Sequence, residues 1–359
     1  MTIRKDNAGQ FLFIGFDGKV LDDKNESFLL RIKPGGIILF KRNIESASQL
    51  IELCHRLHNL YEPPPILGID QEGGMVNRLS FIFPDIPDAH TLARHGNDDI
   101  VESVASLMGK ALKILGIDCD FAPVLDLCTP YAPNGIANRS FGTDPDTAIT
   151  MGSAFLRGLL GEGVAGTLKH FPGLGSSEID SHTSLPTVSK SKNYLLIEDI
   201  RPFDALSEIT PLIMIGHGHY PSFSLERLPA TLCPEIITDV LRKEIGFQGL
   251  IISDDMEMGA MQHYLSSGEE AVRAIAAGCN MVMYCSSQEM VESAHSRIVA
   301  SMESGKLPAN RILRSLNRIQ EIRKNFVDKQ KARDFEEPLR KISEQMREIS
   351  EKVGSKRDG

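Results

Sequence analysis

Eight short apolar runs divide this chain, and seven of them end on an ionisable side chain. The runs cover 11–16, 36–40, 66–70, 119–126, 164–170, 212–217, 250–254 and 281–285. Their ends carry Asp17, Lys41 with Arg42, Asp70, Asp126, Lys169 with His170, His217, and Asp254 with Asp255. The eighth ends in Cys285-Ser286-Ser287. Continuous apolar runs of this length suit parallel strands covered on both faces. Helical periods lie between most of them, at 46–60, 99–115, 147–160, 234–245 and 287–302. Eight strand–helix units predict an α/β fold, a (β/α)8 TIM barrel in a single domain. Active sites of that fold lie at the C-terminal strand ends, where the ionisable groups fall. A doubly wound open sheet would gather them at one switch point instead.

The barrel is assigned to residues 1–325 and a charged C-terminal helical extension to 326–359. In that extension Phe335, Leu339, Ile342, Met346, Ile349 and Val353 recur by four and three, which is a helical apolar stripe. The helix should begin near Glu336, with Pro338 tolerable in its first turn. Docking of the stripe on the barrel leaves the chain a monomer, which is the expectation. Self-association through the stripe is the other outlet.

Composition narrows the function. A chain of 359 residues with 42% apolar content can bury one large core. A net charge of −9 argues against a nucleic-acid partner, which calls for a basic stripe. No apolar run reaches the ~18 residues of a membrane span. The opening Met1-Thr2-Ile3-Arg4-Lys5-Asp6 lacks the apolar stretch of a signal peptide, so a cytoplasmic location is expected. The six cysteines form no C-x-x-C pair and are expected to be buried reduced thiols. The absence of tryptophan favours a small enclosed pocket over a long sugar-stacking groove. Gly161-Glu162-Gly163-Val164-Ala165-Gly166 has dinucleotide-loop spacing, but a helix precedes it and a strand follows, the reverse of what that motif needs. No cofactor is implied. His217-Gly218-His219 could join His170, His182 and Asp254 in a metallohydrolase site, although no zinc-ligand spacing supports it.

The densest chemistry is Lys169-His170-Phe171-Pro172-Gly173-Leu174-Gly175, followed by Asp180-Ser181-His182. A strand ends there and runs into a loop in which Gly173, Gly175, Ser176 and Ser177 leave room to swing in. Asp254 and Asp255 close the seventh run, and strand alternation should turn only one of them to the mouth. An inward carboxylate paired with a proton donor suits displacement at an anomeric carbon, as in retaining glycosidases, whose donor lies about 5 Å from the nucleophile. Here the donor candidate is His182 with Asp180. Imidazole can give and take protons near neutrality, and a carboxylate two residues away can fix its tautomer. Asp70, Arg78, Arg139, Lys169 and His170 could then cradle sugar hydroxyls. His217 lies near the same place, and it could equally orient other site residues.

These residues carry a resemblance. Gly35-Gly36-Ile37-Ile38-Leu39-Phe40, Asp70-Gln71-Glu72-Gly73-Gly74, Phe121-Ala122-Pro123-Val124-Leu125-Asp126, Asn138-Arg139-Ser140-Phe141, the 169–182 segment and Gly246-Phe247 through Asp255 resemble the bacterial β-N-acetylglucosaminidases of glycoside hydrolase family 3, single-domain type. The resemblance runs from about residue 11 to residue 325. It implies a TIM barrel. It also implies a retaining, exo-acting enzyme that removes terminal β-linked N-acetylglucosamine through a covalent glycosyl-enzyme. Related members act on muropeptides in peptidoglycan recycling, so a small carbohydrate or glycopeptide is the implied substrate. By the same resemblance Asp254 is the nucleophile and His182 the acid/base assisted by Asp180. Asp70, Arg78, Arg139, Lys169, His170 and His217 are the sugar-binding set. The chain departs from the family in having Leu174 where His is usual and Met75 where Arg is frequent. A phosphorylase with the same Asp/His pair is the nearest rival, because His does not repel an incoming phosphate. A metallohydrolase and a non-enzymatic sugar sensor are the others.

Overall fold

Parallel pairing runs unbroken around a closed sheet. The computed structural model describes residues 5–354. All eight expected strands form in it: β1 (Leu12–Ile14), β2 (Gly36–Leu39), β3 (Ile66–Ile69), β4 (Cys119–Asp120), β5 (Ala165–Phe171), β6 (Leu212–Ile215), β7 (Leu250–Asp255) and β8 (Met281–Tyr284). Neighbours in sequence are neighbours in the sheet, and β8 closes on β1 with Phe13 opposite Met283. Helices surround the sheet, so the protein is a single-domain TIM barrel.

Two large rings fill the barrel's interior. Phe13 and Phe121 meet edge to face with centroids 5.3 Å apart. Glycine on the facing strands makes room for them. A Cβ on Gly36 would lie 2.2 Å from the Phe13 ring, and one on Gly68 would lie 2.9 Å from Phe121. Above the rings, Ile38, Met214 and Met283 form an apolar floor for the mouth. Below them, Ile319, Ile322 and Phe326 of the helix Ala309–Phe326 close the base.

The helices begin where side chains can hold their first free N–H groups. Ser46, Asp144 and Ser287 accept from the backbone N–H groups of Gln49, Thr147 and Met290. The segment Glu235–Glu244 is a π-helix, a winding that apolar periodicity does not separate from α. The fourth run was expected to be a strand over 119–126, and the regular ladder stops at Asp120. Pro123 has no N–H to offer. The chain still follows β5 irregularly, with Leu125 N–H donating to Lys169 O at 2.7 Å. The C-terminal helix is Glu336–Gly354. Its stripe residues Leu339, Ile342, Met346 and Val353 are buried, and it packs on the helices Asp98–Leu115 and Ala89–His95. All six cysteines are buried and unpaired. Among the described residues no helix is long and apolar enough to cross a membrane.

Candidate active site

The C-terminal strand ends open into a cavity of about 370 Å³, within the range of roughly 300–1,000 Å³ typical of small-molecule sites. Asp70, Arg78, Arg139, Lys169, His170, His182 and Asp254 all line it. Asp180 stands behind His182, and His217 lies outside the lining.

One wall is a closed charge network. Lys169, only 2% exposed in its side chain, sets Nζ 2.8 Å from Asp70 and 2.6 Å from Glu72. Arg139 grips Glu72 with both ends of its guanidinium, Nε at 2.8 Å and Nη2 at 2.9 Å. Burial alone would raise the Glu72 carboxyl, but Arg139 and Lys169 hold it well below the usual carboxylate range. Burial likewise works against the Lys169 ammonium, and Asp70 and Glu72 overcome it and raise its pKa. Glu72 therefore couples two of the expected sugar-binding residues, Lys169 and Arg139, and it was not itself singled out. The signal was present in the Asp70-Gln71-Glu72-Gly73-Gly74 motif.

The same motif aims Arg78. Gly73 and Gly74 take positive φ of 102° and 53°, and a Cβ on Gly73 would stand 2.6 Å from Pro87 O. The chain doubles back there, and Gln71 ties the turn. Its Oε1 accepts from the N–H groups of Arg78 and Leu79, and its Nε2 donates to Asn77. Arg78 then lies along the cavity wall beside the Phe40 ring.

Asp254 occupies the deep end. Burial pushes its carboxyl up, while His170 and then His217 pull it down, and the net shift is downward. An ionised Asp254 is the result. His170 Nε2 lies 3.9 Å from Asp254 Oδ2. The imidazole is held by Asp126, whose Oδ2 is 2.7 Å from Nδ1 and also accepts the His170 N–H. The other oxygen of Asp126 accepts from Leu174 N–H. Asp126 is thus the positioning residue that strand-end counting picked out without a role.

Two expectations are corrected. His217 does not reach the cavity as a sugar-binding residue. It is fully buried, with Nδ1 2.7 Å from Thr231 Oγ1 and Nε2 2.9 Å from Asp255 O, so it braces the β7 end from behind. Asp255 was expected to point away from the site, but it lines the same cavity. The β7–β8 register shifts between Ile252 and Asp255, which breaks strict alternation. Backbone N–H groups of Glu257 and Cys285 hold its carboxylate at the β8 side. Burial, with Glu257 and Asp254 adding repulsion, pushes the Asp255 carboxyl up to about 6.

The loop after β5 brings the second functional group. His182 Nδ1 lies 2.7 Å from Asp180 Oδ1, and the same oxygen accepts the His182 N–H. With Nδ1 engaged, Nε2 is the nitrogen left for a substrate. The side chain is 66% exposed, so it sits at the rim rather than in the wall. Close approaches seat the loop. Gly175 rests on the Leu127 backbone, where a Cβ would come within 2.0 Å of its carbonyl oxygen, and Gly259 and Ala260 N–H groups donate to His182 O and Ser181 O. The alternative metal set is not assembled. His217 is occupied as described, and among the described residues no three His, Cys, Asp or Glu side chains converge as ligands.

Residues 5–322 match the model of the "Glycosyl hydrolase family 3 N terminal domain". A β-hexosaminidase of Pseudomonas aeruginosa is 34% identical over 284 residues, covering 79% of this chain and 84% of that protein. A β-hexosaminidase of Nitrosomonas eutropha is 35% identical over 291 residues, covering 78% and 82%. Among solved structures, a glycoside hydrolase family 3 β-N-acetylglucosaminidase from Paenibacillus sp. superposes with a TM-score of 0.89 at 31% identity, over 98% of this chain and 69% of that one. Native NagZ from Neisseria gonorrhoeae superposes at 0.78 with 28% identity, over 94% and 97%. Fold, motif and sequence agree across most of the length, so the chain belongs to glycosyl hydrolase family 3 and is a glycoside hydrolase.

Proposed function

We propose that the enzyme is a retaining, exo-acting β-N-acetylglucosaminidase with Asp254 as nucleophile and His182, assisted by Asp180, as acid/base. The observation that carries this reading is the division of labour around the cavity. Asp70 and Glu72 are tied to Lys169 and Arg139, and Asp255 is held by backbone N–H groups. Asp254 is left as the ionised carboxylate at the deep end, and His182 as the exposed proton carrier at the rim.

The terminal sugar seats against Asp70, Lys169, Arg139 and Arg78, whose fixed charges recognise hydroxyl groups. Asp254 attacks the anomeric carbon while His182 Nε2–H protonates the departing oxygen. The bond to the aglycone breaks as the bond to Asp254 forms. Neutral His182 then takes a proton from water, whose oxygen displaces Asp254 from the same carbon. Two inversions leave the β configuration. Asp180 stabilises the imidazolium that enters the first step and is restored by the second. The names of the similar proteins support the N-acetylhexosamine specificity. Muropeptide fragments met in the cytoplasm are the natural substrate class that the family resemblance suggests.

The test is His182→Ala on two substrates. General acid help is worth roughly 10²–10⁴-fold. A substrate with a poor leaving group should lose about that much, and an activated aryl glycoside far less. Equal losses on both remove His182 from the role. A 2-fluoro sugar should trap on Asp254, and label on Asp255 overturns the assignment. Release of sugar 1-phosphate when phosphate is supplied would make the enzyme a phosphorylase.

A further inference from the structure

The base of the barrel, at the end opposite the active site, carries a second cavity of about 280 Å³. It lies where β7 and β8 begin, and four arginines line it: Arg242 from the helix Glu235–Glu244, and Arg311, Arg314 and Arg318 from the helix Ala309–Phe326. The last three are spaced by three and four, so they share one helix face. Among the described residues no acidic side chain lines this cavity. Its fifth cation, Lys243, is already paired with Asp239 at 2.7 Å.

The four guanidiniums press on one another without a counter-charge. Burial lowers the pKa of Arg242, to about 9, and Arg318 and Arg311 add repulsion. Burial lowers Arg311 also, with Arg314 and Arg318 adding to it. Guanidinium groups as a class keep their charge at neutral pH. Arg242 is fixed by Phe247 O and Asn280 Oδ1 at 2.6 and 2.7 Å, and Arg318 by Gln248 O at 2.9 Å. Arg311 Nε is buried with no hydrogen-bond partner. The Ser315 hydroxyl accepts from Asn280 and keeps its own proton to donate. The cavity thus joins held positive charge to an unused buried donor, a combination that suits an anion.

We infer that this cavity binds the phosphoryl or pyrophosphoryl group of a small molecule, at a site separate from the catalytic cavity. Guanidinium forks match phosphate oxygens in pairs, and clustered cations call for a ligand with more than one negative charge. A small ligand is favoured over a nucleic acid because the chain as a whole carries −9 and repels a long polyanion. The inference does not depend on the proposed substrate of the mouth.

Pyrophosphate titrated into the full chain by calorimetry tests it. One equivalent should bind, and Tm should rise by roughly 5 °C at about 100-fold excess over Kd, more than sodium chloride of equal ionic strength produces. Arg311→Gln with Arg314→Gln should weaken binding at least about tenfold, since two charge-assisted contacts are lost. Should that pair fail to fold, Arg314→Gln alone, whose side chain is exposed, should weaken binding about threefold and raise the ligand-free Tm by relieving repulsion. No effect beyond that of chloride overturns the inference. So does unchanged affinity in the variant that folds, which would place the anion elsewhere. A short single-stranded oligonucleotide binding tighter than pyrophosphate would overturn the small-molecule reading.

Discussion

Glu72 joins residues that lie far apart in the chain. Its partner Arg139 is 67 positions away, and Lys169 follows on the next strand but one. Removing its charge leaves buried Arg139 without its bidentate partner and Lys169 with Asp70 alone. Glu72→Gln should therefore cost about 3–5 kcal/mol of stability, seen as a lower urea midpoint, with KM raised as the cradle loosens. An unchanged midpoint would mean that the network is solvated in solution. Asp255 gives a pH-dependent counterpart. Its carboxyl is pushed up from an ordinary 3.8 to about 6, so the folded state holds the proton more tightly than the unfolded chain. The associated stability is fully present below about pH 4 and is lost as pH rises through about 6. Asp255→Asn keeps the oxygen that accepts from Glu257 and Cys285 but removes the charge. It should stabilise the protein by about 1–3 kcal/mol at pH 7.5 and by little at pH 4. Equal effects at both pH values would show that the carboxyl is not perturbed. Residues such as Lys169, His170 and Asp254 were legible because each ends an apolar run. Glu72 was legible only as a member of the Asp70–Gly74 motif and not as a charge partner, because a salt bridge leaves no local periodicity.

At the scale of elements, the strands were legible because burial on both faces leaves continuous apolar runs. Their lengths were less so: β4 stops early at the approach to Pro123, and β7 carries an irregularity that brings Asp255 into the cavity. The π winding of Glu235–Glu244 had no sequence signature. The C-terminal helix was legible from its stripe, and its packing has a consequence for the site. Arg347, Ser350 and Val353 border a groove whose other side is Gly74, Ile86 and Asp88, the return of the loop that aims Arg78. Met346 is 2% exposed, and Met346→Ala should cost about 2–4 kcal/mol. Deleting residues 330–359 should lower Tm further and raise KM, because the Arg78 loop loses its support. If the deletion leaves Tm, solubility and KM unchanged, the helix does not brace the barrel.

The molecule as a whole offers its substrate one polar opening, with an apolar floor of Ile38, Met214 and Met283 above the packed rings Phe13 and Phe121. The barrel is a filled core and not a pore, so nothing threads through it. In the proposed exo reading a chain of sugars enters by its end, and the units beyond the first lie toward His182 and solvent. The fold class that places this mouth followed from eight strand–helix units, and its closed floor followed from no sequence feature, since it depends on which apolar residues meet across the barrel. The geometry predicts the kinetics of β-1,4-linked N-acetylglucosamine oligomers. Each turnover should release one unit from the non-reducing end. A further subsite contributing about 1.4 kcal/mol would raise kcat/KM tenfold per added unit, so the expected rise beyond two units is below about threefold. Time courses on oligomers of increasing length, resolved by chromatography, distinguish the cases. Early release of dimers, or kcat/KM climbing tenfold with length, would require an extended groove across the barrel mouth and would remove the end-on reading of this cavity.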